Sequence, residues 1–520
     1  MSELRTLSDL VMGYAAGERD FSAWHFNPDR LEATHLIGIR LVDAQLPGVQ
    51  LLAVNLLGAD LRGANLKGAD LTHSNLVKAD LRGADLQGSN LTGVNLWRAR
   101  LEGANLTDAD LSLSHLLETQ IDPFTQLPPK WRLLWTWINQ LDRQNHPWIE
   151  DEEPDLSRSS LKRLDLRGAN LRKVNLKGSL LNGAQLTQAN LRYANLAGAD
   201  LSEADLTGAD LTRAVLKDAI LAGTNLSEAN LALTHLMGSL VNEQTALDPK
   251  GRQIWQLANR QTHSPLDLKA ADLSLAYLAG ISLAGSDLER ANLKQSVLRG
   301  SRLTGANLNR ANLSQADLTG ADLRGADLRG ANLYWACWYA TQLDDSTQLD
   351  EKWRLVWQLV NNQSKLSKFP GANFSHANLD DAPLRGFDFR GAQLAGAHLR
   401  GSQLRGSCLA GANVQGTFFH HAELKRADLT QIVARNSQWP DADLDSAILT
   451  GGDFRGANLR GAILTQAQLQ GADFSQADLR GANLDHAQLG QTNFQGADLR
   501  GAILGQINLR GAILDESTLI

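Results

Sequence analysis

The chain contains 520 residues, of which 43% are hydrophobic and 21% are charged, and its formal net charge is −7. This composition is too apolar for a disordered chain, and the length exceeds what one compact core usually holds, so several domains or an array are expected. The small net charge provides neither the basic field of a nucleic-acid-binding protein nor a strongly acidic surface. Charge alone therefore names no partner.

Cysteine content and apolar stretches indicate the compartment. The two cysteines, Cys337 and Cys408, lie in separate stretches of the chain, so no disulfide framework is expected and a reducing compartment fits. Residues 1–14 lack the long apolar core of a signal peptide, and no other uninterrupted apolar stretch is long enough to cross a bilayer. We expect a cytoplasmic protein without membrane spans.

Residues 1–20 predict a helix. Leu7, Leu10, Val11 and Tyr14 fall on one helical stripe before Gly17, which is a pattern typical of an amphipathic helix and its C-terminal stop. A repeat array follows at residue 21, and arrays need a terminal element that covers the first repeat. We therefore predict an N-terminal capping helix.

A five-residue repeat begins after this helix. Leucine recurs every five residues from Leu61 to Leu96, and each of these leucines is preceded by Asp or Asn. The unit is A(D/N)LxG, and its period matches neither an α-helix at 3.6 residues nor an alternating strand at two. Each unit is therefore expected to form one side of a coil.

The number of sides follows from the phenylalanines. Phe454, Phe474 and Phe494 recur every twenty residues, whereas most intervening central positions hold Leu. Four repeats per coil are predicted, with coils stacked at the spacing of about 4.8 Å between hydrogen-bonded strands. Central Leu and the preceding Ala would fill the interior, Gly would occupy a corner, and outward positions would remain free to vary.

These residues closely resemble the pentapeptide-repeat family, and the resemblance covers nearly the whole chain outside three inserts. It implies an all-β fold, the right-handed quadrilateral β-helix. The inserts resemble those of multi-array, cyanobacterial-type members. The predicted order after the capping helix is array I (21–121), insert 1 (122–155), array II (156–241), insert 2 (242–267), array III (268–343), insert 3 (344–373) and array IV (374–520).

The three inserts share one sequence element, which predicts a short helix in each. In the first, Trp131, Leu134, Trp135 and Ile138 fall on one helical face after two prolines, and in the third the equivalent stripe is Trp353, Val356, Trp357 and Val360. Because Trp buries a large area, we expect each helix to pack on the solenoid. A ligand or membrane site formed by the Trp stripe is the alternative.

An aromatic run precedes the third insert. Tyr334, Trp335 and Tyr339 fall at outward positions of the repeat. They form either a packing surface for the insert helix or an exposed patch that binds a partner.

Arginines form a ladder in array IV. Arg460, Arg480 and Arg500 lie twenty residues apart, each directly after a central residue, and Asp478 and Asp498 lie on the same side. Pairing with these carboxylates would give a self-neutralised, solvated face. A site for an acidic partner is the alternative.

The last coil shows apolar residues at outward positions. Ile503 and Ile513 stand where Asp or Asn is usual, Ile520 is the last residue, and residues 512–520 resemble the approach to an insert. An open, apolar coil edge favours association, and the resemblance implies pairing through C-terminal coils. We predict a homodimer or partner docking there.

Candidate catalytic and metal-binding groups are sparse. His398 and His420 fall on one side of adjacent coils, but no carboxylate or cysteine cluster completes a metal site. Cys408 has no plausible triad nearby, and Cys337 lies within the aromatic run. The glycines follow the repeat instead of forming a phosphate-binding loop. We predict no catalytic, metal or cofactor site, and no enzymatic activity.

The sequence therefore favours a non-catalytic scaffold, a rod that presents flat β-helical faces to a protein partner of unknown identity. The alternative comes from family members that protect DNA gyrase by imitating DNA with acidic faces. The small net charge departs from that pattern, as do frequent outward arginines, for example Arg62, Arg82, Arg324 and Arg329. A DNA-mimic regulator is the second interpretation, and no nucleic-acid partner is expected.

Overall fold

The computed structural model describes residues 4–139, 154–259, 265–507 and 509–520. The chain forms two compact units, Met1–Asn259 and Arg260–Ile520. Parts of the predicted elements lie outside the described residues, namely 1–3 of the N-terminal element, 140–153 of insert 1 and 260–264 of insert 2.

Parallel backbone pairing between residues twenty apart builds each unit. In the first unit, Asp60 pairs with Asp80. The Leu61 N–H donates to the Asp80 carbonyl at 2.8 Å, and the Asp80 N–H donates to the Ala59 carbonyl at 2.9 Å. Each coil of four repeats is thus bonded to the coil before it and the coil after it. The twenty-residue coil predicted from the phenylalanine spacing is confirmed.

Only a few of these pairings are long enough to form strands. The strands are β1 (Leu4–Arg5), β2 (His25–Phe26), β3 (Arg30–Glu32) and β4 (Gln50–Leu52). β1 pairs in parallel with β2, and β3 pairs in parallel with β4.

The coil interior is filled by the central residue of each repeat and the small residue two positions before it. In the second unit, the rings of Phe454 and Phe474 stack with centroids 4.8 Å apart, and Phe474 stacks on Phe494 at 5.6 Å. Leucine and alanine at the equivalent positions are buried in most of the described coils, whereas in the last coil Leu504 and Leu509 are half-buried and Leu514 is 38% exposed. The interior is therefore a packed core and not a channel.

The residue two positions after each centre lies in the left-handed region at a corner. Gly63 has φ of 66°, where glycine carries no steric penalty. Other residue types occupy the same position elsewhere, including Asp381 with φ of 57°. The Asp or Asn before the centre stabilises the corner, since the Asp70 Oδ1 atom accepts a hydrogen bond from the Thr72 N–H at 3.0 Å.

Helix α1 (Leu7–Ala15) lies within the predicted N-terminal element. Thr6 and Asp9 form a capping box, in which the Asp9 N–H donates to Thr6 Oγ1 at 3.1 Å and the Thr6 N–H donates to Asp9 Oδ2 at 2.9 Å. Leu7 and Leu10 are buried, and the Tyr14 hydroxyl donates to the Ile37 carbonyl at 3.0 Å. The helix is thereby attached to the first coils.

Three further helices lie in the inserts: α2 (Pro129–Asn139), α3 (Pro249–Asn259) and α4 (Glu351–Val360). The predicted buried stripe needs a correction in α4. Trp353 and Val356 are buried as predicted, but Trp357 and Val360 are only half-buried, and Leu359 is buried instead. The reason is that the Trp357 indole is held at the coil edge by a hydrogen bond.

Side chains of each insert helix bind carbonyls at the edge of the preceding coil. The indole Nε1–H donates to a carbonyl sixteen residues earlier: Trp135 to Thr119 at 2.8 Å, Trp255 to Ser239 at 3.0 Å, and Trp357 to Thr341 at 2.9 Å. The Nδ2 atom at the helix end donates to a second edge carbonyl: Asn139 to Leu116, Asn259 to Leu236, and Asn361 to Trp338. These bonds satisfy acceptors that would otherwise bond to the next coil.

The last coil before each insert contains one extra residue. Pairing there spans 21 residues: Asn105 with Gln126, Asn225 with Ala246, and Asp327 with Gln348. The same spacing joins Asp498 to Leu519. A threonine next to the extra residue donates a hydrogen bond to the preceding coil. The Thr347 Oγ1 atom donates to the Leu323 carbonyl at 3.1 Å, and the Thr518 Oγ1 atom donates to the Phe494 carbonyl at 3.0 Å.

The indole bonds to the coil edge can be tested in the first unit. We expect Trp135→Phe to lower the free energy of unfolding by about 1–2 kcal/mol, because the Thr119 carbonyl loses its donor while most ring packing is kept. Urea unfolding followed by circular dichroism measures the change.

Tyr193→Phe is the control, since Tyr193 lies 39% exposed on the surface. A loss in Trp135→Phe no larger than in this control would contradict the proposed role of the indole bond.

Candidate binding site beside the third insert helix

The arginine ladder is engaged with carboxylates of its own repeats. Arg480 pairs with Asp478 at 2.6 Å and Arg500 with Asp498 at 2.7 Å. Arg480 also lies 3.6 Å from Asp498 in the next coil. Arg460 follows Asn458 instead of an aspartate, and its N–H donates to the Asn458 Oδ1 atom at 3.2 Å. The site for an acidic partner predicted on Arg460, Arg480 and Arg500 stays a prediction.

The aromatic run divides into two environments. Trp335 is half-buried, its Nε1–H donates to the Gly396 carbonyl at 2.8 Å, and its backbone N–H donates to the His376 carbonyl at 2.9 Å. The Tyr334 ring lies 6.0 Å from the Trp353 ring of α4. Tyr339, by contrast, is 64% exposed. Tyr334 and Trp335 thus contact α4 and array IV, whereas Tyr339 lies on open surface.

The outward isoleucines of the last coils are exposed. The exposed fraction is 55% for Ile503, 46% for Ile513 and 62% for Ile520. The backbone N–H groups of Ile503 and Ile513 donate to Ala482 and Thr492 of the coil below, so these two side chains stand on regular repeats. Association through this surface stays a prediction.

A groove of about 1050 Å³ opens beside α4 in the second unit. One wall is the end of array III, residues 337–341, which includes the exposed Tyr339. The end of α4 and the residues after it form a second wall, with Trp357 and residues 360–363. The first coils of array IV complete the groove with Asn378, Asp380, Asp381 and Pro383.

Two neighbouring carboxylates give the groove its electrostatic character. Asp380 is half-buried, and its Oδ1 atom accepts a hydrogen bond from the Arg400 backbone N–H at 2.7 Å. Burial raises the pKa of Asp380, while this hydrogen bond and the Arg400 charge oppose the rise. Asp381 is exposed. Among the described residues, neither carboxylate has an ion-pair partner within 4.0 Å.

Sequence reasoning identified Tyr339 but missed the two aspartates and the part played by Trp357. The available signal was the Asp380–Asp381 pair itself, because position 381 is the corner position where the repeat usually has glycine. The meeting of these residues with Tyr339 depends on the path of the insert, which the repeat pattern does not specify.

Among the described residues, the thiols and histidines form no recognisable reactive centre. Within the described ranges, no group of three or more His, Cys, Asp or Glu residues could hold a metal ion. The Cys408 Sγ atom lies 3.6 Å from Asp428 Oδ2, and burial, together with the Asp428 charge, raises the pKa of this thiol. A raised pKa disfavours the thiolate that nucleophilic chemistry requires. Of the helices in the described parts of the chain, none is long and apolar enough to span a membrane.

Comparison with known proteins identifies the family. The family model "Pentapeptide repeats (8 copies)" matches residues 51–117, 155–239, 271–337, 372–411 and 441–520, through several overlapping matches that cover more than half of the chain. The chain therefore belongs to the pentapeptide-repeat family, whose fold is the right-handed quadrilateral β-helix.

The solved structures that match this chain include other pentapeptide repeat proteins. A pentapeptide repeat protein from the Arabidopsis thaliana thylakoid lumen is 32% identical, covering 21% of this chain and 74% of its own, with a TM-score of 0.20. HetL from Nostoc sp. strain PCC 7120, involved in heterocyst differentiation regulation, is 24% identical over 66% of this chain and 100% of its own, with a TM-score of 0.12.

QnrB1, a plasmid-mediated fluoroquinolone resistance protein, is 17% identical over 45% of this chain and 92% of its own, with a TM-score of 0.23. A search of curated protein sequences found no match.

The arginine–aspartate pairs of array IV predict that the stability of the protein falls at low pH. The hydrogen bond from Arg500 lowers the pKa of Asp498 to about 2 from the usual 3.8. A lowered folded-state pKa stabilises the protein above the unfolded-state pKa, and the contribution disappears as pH falls through the folded-state value. We expect Asp498→Asn to lower the melting temperature at pH 7, to have a much smaller effect near pH 2, and to have none as the pH falls further.

Thermal unfolding at both pH values measures this difference. Asp108→Asn is the control, because Asp108 is exposed and has no ion-pair partner among the described residues. Equal destabilisation by Asp498→Asn at both pH values would show that the carboxylate charge is not responsible.

Proposed function

We propose that the protein is a non-catalytic interaction scaffold, in which β-helical faces and the groove beside α4 receive protein partners. The observation that carries this proposal is the groove itself, which is lined by the exposed Tyr339 and by two carboxylates without ion-pair partners among the described residues. Exposed aromatic side chains beside polar groups are typical of protein interfaces.

The composition of the groove supports binding over catalysis. The described residues that line it include one thiol, two carboxylates and several amides, but no histidine or lysine that could act as a base or cation beside them. Asp380 is already engaged with the Arg400 N–H. The coil interiors offer no alternative site, since they are filled by Leu, Ala and aromatic side chains.

A reducing compartment such as the cytoplasm fits this proposal. Cys337 and Cys408 are both free thiols, and arrays held by backbone bonds and a packed interior need no disulfide for stability.

DNA mimicry gains no support from the charges. Outward aspartates in several coils pair with an arginine of the same repeat, as Asp60 does with Arg62 at 2.8 Å and Asp80 with Arg82 at 2.7 Å. Such pairs neutralise the face that would have to imitate phosphates. The likeness to QnrB1 concerns the fold alone.

Photo-crosslinking in the native host tests the proposed function. With benzoylphenylalanine at position 339, we expect a discrete crosslinked product that excess unlabelled protein competes away, because a saturable partner would cover the groove. The same group at position 193 is the control, since Tyr193 is a partly exposed tyrosine in the first unit. Products that are identical at both positions, or that resist competition, would contradict the proposal.

We also propose that two copies pair through the outward isoleucines of the last coils. Replacing Ile503 and Ile513 by Asn, a usual residue at this position of the repeat, removes apolar surface without disturbing the coil. Light scattering should show a dimer for the wild type and a monomer for this variant.

Ile463→Asn, in the same ladder and 41% exposed, is the matched control and should remain dimeric. A monomeric wild type would exclude the dimer.

A further inference from the structure

The coils on either side of an insert meet at a junction. The junction across α2 in the first unit and the junction across α4 in the second unit are built alike, so the groove at the second can be compared with the first. Across the insert that contains α2, the Leu113 N–H donates to the Arg158 carbonyl at 2.6 Å. Across the insert that contains α4, the Trp335 N–H donates to the His376 carbonyl at 2.9 Å. Each bond places the first coil after the insert on the last coil before it. The two junctions can therefore be aligned residue by residue.

Other contacts fit the same alignment. Lys130 Nζ lies 3.0 Å from Ser157 Oγ in the first junction, and Lys352 Nζ lies 3.3 Å from Ser375 Oγ in the second. The indole and amide bonds of α2 and α4 to the coil edge also fall at equivalent positions. The backbone frame and its anchoring side chains thus repeat, so differences between the junctions reflect the remaining side chains.

The two junctions carry opposite charge at one pair of equivalent positions. Asp380 and Asp381 follow His376 at the same spacing at which Lys162 and Arg163 follow Arg158. The two acidic residues of the second junction therefore correspond to the two basic residues of the first. Burial, and secondly the Lys162 charge, lower the pKa of His115 in the first junction. The acidic pair is therefore a property of the second junction and not a requirement of the shared frame.

The aromatic surface differs in the same way. Tyr339 corresponds to Leu117, whereas Trp357 corresponds to Trp135 and is common to both junctions. Of these two junctions, and among their described residues, the second combines an exposed tyrosine with two carboxylates and the first does not. Aromatic faces and carboxylates together suit a Lys or Arg side chain, whose apolar stem packs on the ring and whose cation is attracted to both ring and carboxylate.

We propose that the groove beside α4 binds an extended protein segment that carries Lys or Arg, with Tyr339 and Trp357 contacting the side-chain stem and Asp380 and Asp381 pairing with the cation. This inference rests on the proposed function as an interaction scaffold and specifies the partner's chemistry. The volume of about 1050 Å³ is large enough for more than one side chain.

The state of Asp380 favours such a ligand. Part of its hydration is already lost on folding, so an incoming cation gains attraction without the full cost of desolvating the carboxylate. Arg400 is the nearby cation that could compete, but it acts through its backbone N–H at 2.7 Å and its longer-range charge. Asp381 is exposed and can pair with a ligand directly.

Peptide binding to the full-length protein tests the inference. The probes are fluorescein-labelled Gly/Ser peptides that carry lysines, arginines or glutamates, and fluorescence anisotropy measures their affinity. The wild type should bind the Lys and Arg peptides in preference to the Glu peptide. The double variant Asp380→Asn/Asp381→Asn should bind the basic peptides about tenfold more weakly. The amide oxygen that Asp380→Asn introduces would still accept the hydrogen bond from the Arg400 N–H, and circular dichroism verifies folding.

A matched control separates the groove from net charge. Asp108→Asn/Glu228→Gln makes the same charge change at two exposed positions of the first unit, and should alter affinity by less than about twofold. Tyr339→Leu, which introduces the residue of the first junction, should weaken binding about threefold, whereas Tyr339→Phe should preserve it.

Three results would overturn the inference: no binding of Lys or Arg peptides up to about 1 mM, equal binding of the Glu peptide, or equal losses in the groove variant and the control. If competed crosslinking from position 339 persists under any of these results, the scaffold function stands and only the basic segment is excluded. If crosslinking also fails, the scaffold function at this groove is excluded as well.

Discussion

Backbone hydrogen bonds between successive coils are the constraint on which the other features of this protein depend. Each coil donates to and accepts from its neighbours, as Leu61 does to Asp80 and Asp80 to Ala59. The five-residue repeat serves this bonding, because small and apolar residues fill the interior and corner residues take left-handed backbone angles. An interrupted stack leaves carbonyls without donors, and buried carbonyls without donors are costly. The insert helices meet this need with an indole, an amide and a guanidinium, which Trp357, Asn361 and Arg354 supply at α4.

The groove follows from the same constraint. An insert helix can donate to a few edge carbonyls, but a helix cannot reproduce the extended side of a coil. The groove is lined by the end of array III, by Trp357 and residues 360–363, and by the first coils of array IV. The repeat pattern does not fix the charge of the outward residues at this opening. Lys162 and Arg163 at one junction and Asp380 and Asp381 at the other illustrate this freedom.

Much of the architecture could be predicted from the sequence, because periodicity records it directly. Phe454, Phe474 and Phe494 give the coil length, and the Trp pattern of the inserts gives the helices. The side chains of the inserts were harder to place. Trp357 was predicted on the buried stripe, yet its indole is held at the coil edge by Thr341. Tyr334, Trp335 and Tyr339 are neighbours in sequence, but only Tyr339 lines the groove, since the path of the insert decides which outward positions are covered.

Hydrogen–deuterium exchange of the full chain, with and without the lysine peptide, tests most directly whether the groove beside α4 is the binding site. The account predicts slower exchange on binding in residues 337–341, 361–363 and 378–382, which form the three walls of the groove. Residues 115–119 and 160–164 of the first junction, where the charge is opposite, should not change. Protection of both junctions, or protection confined to other faces of the coils, would contradict the account.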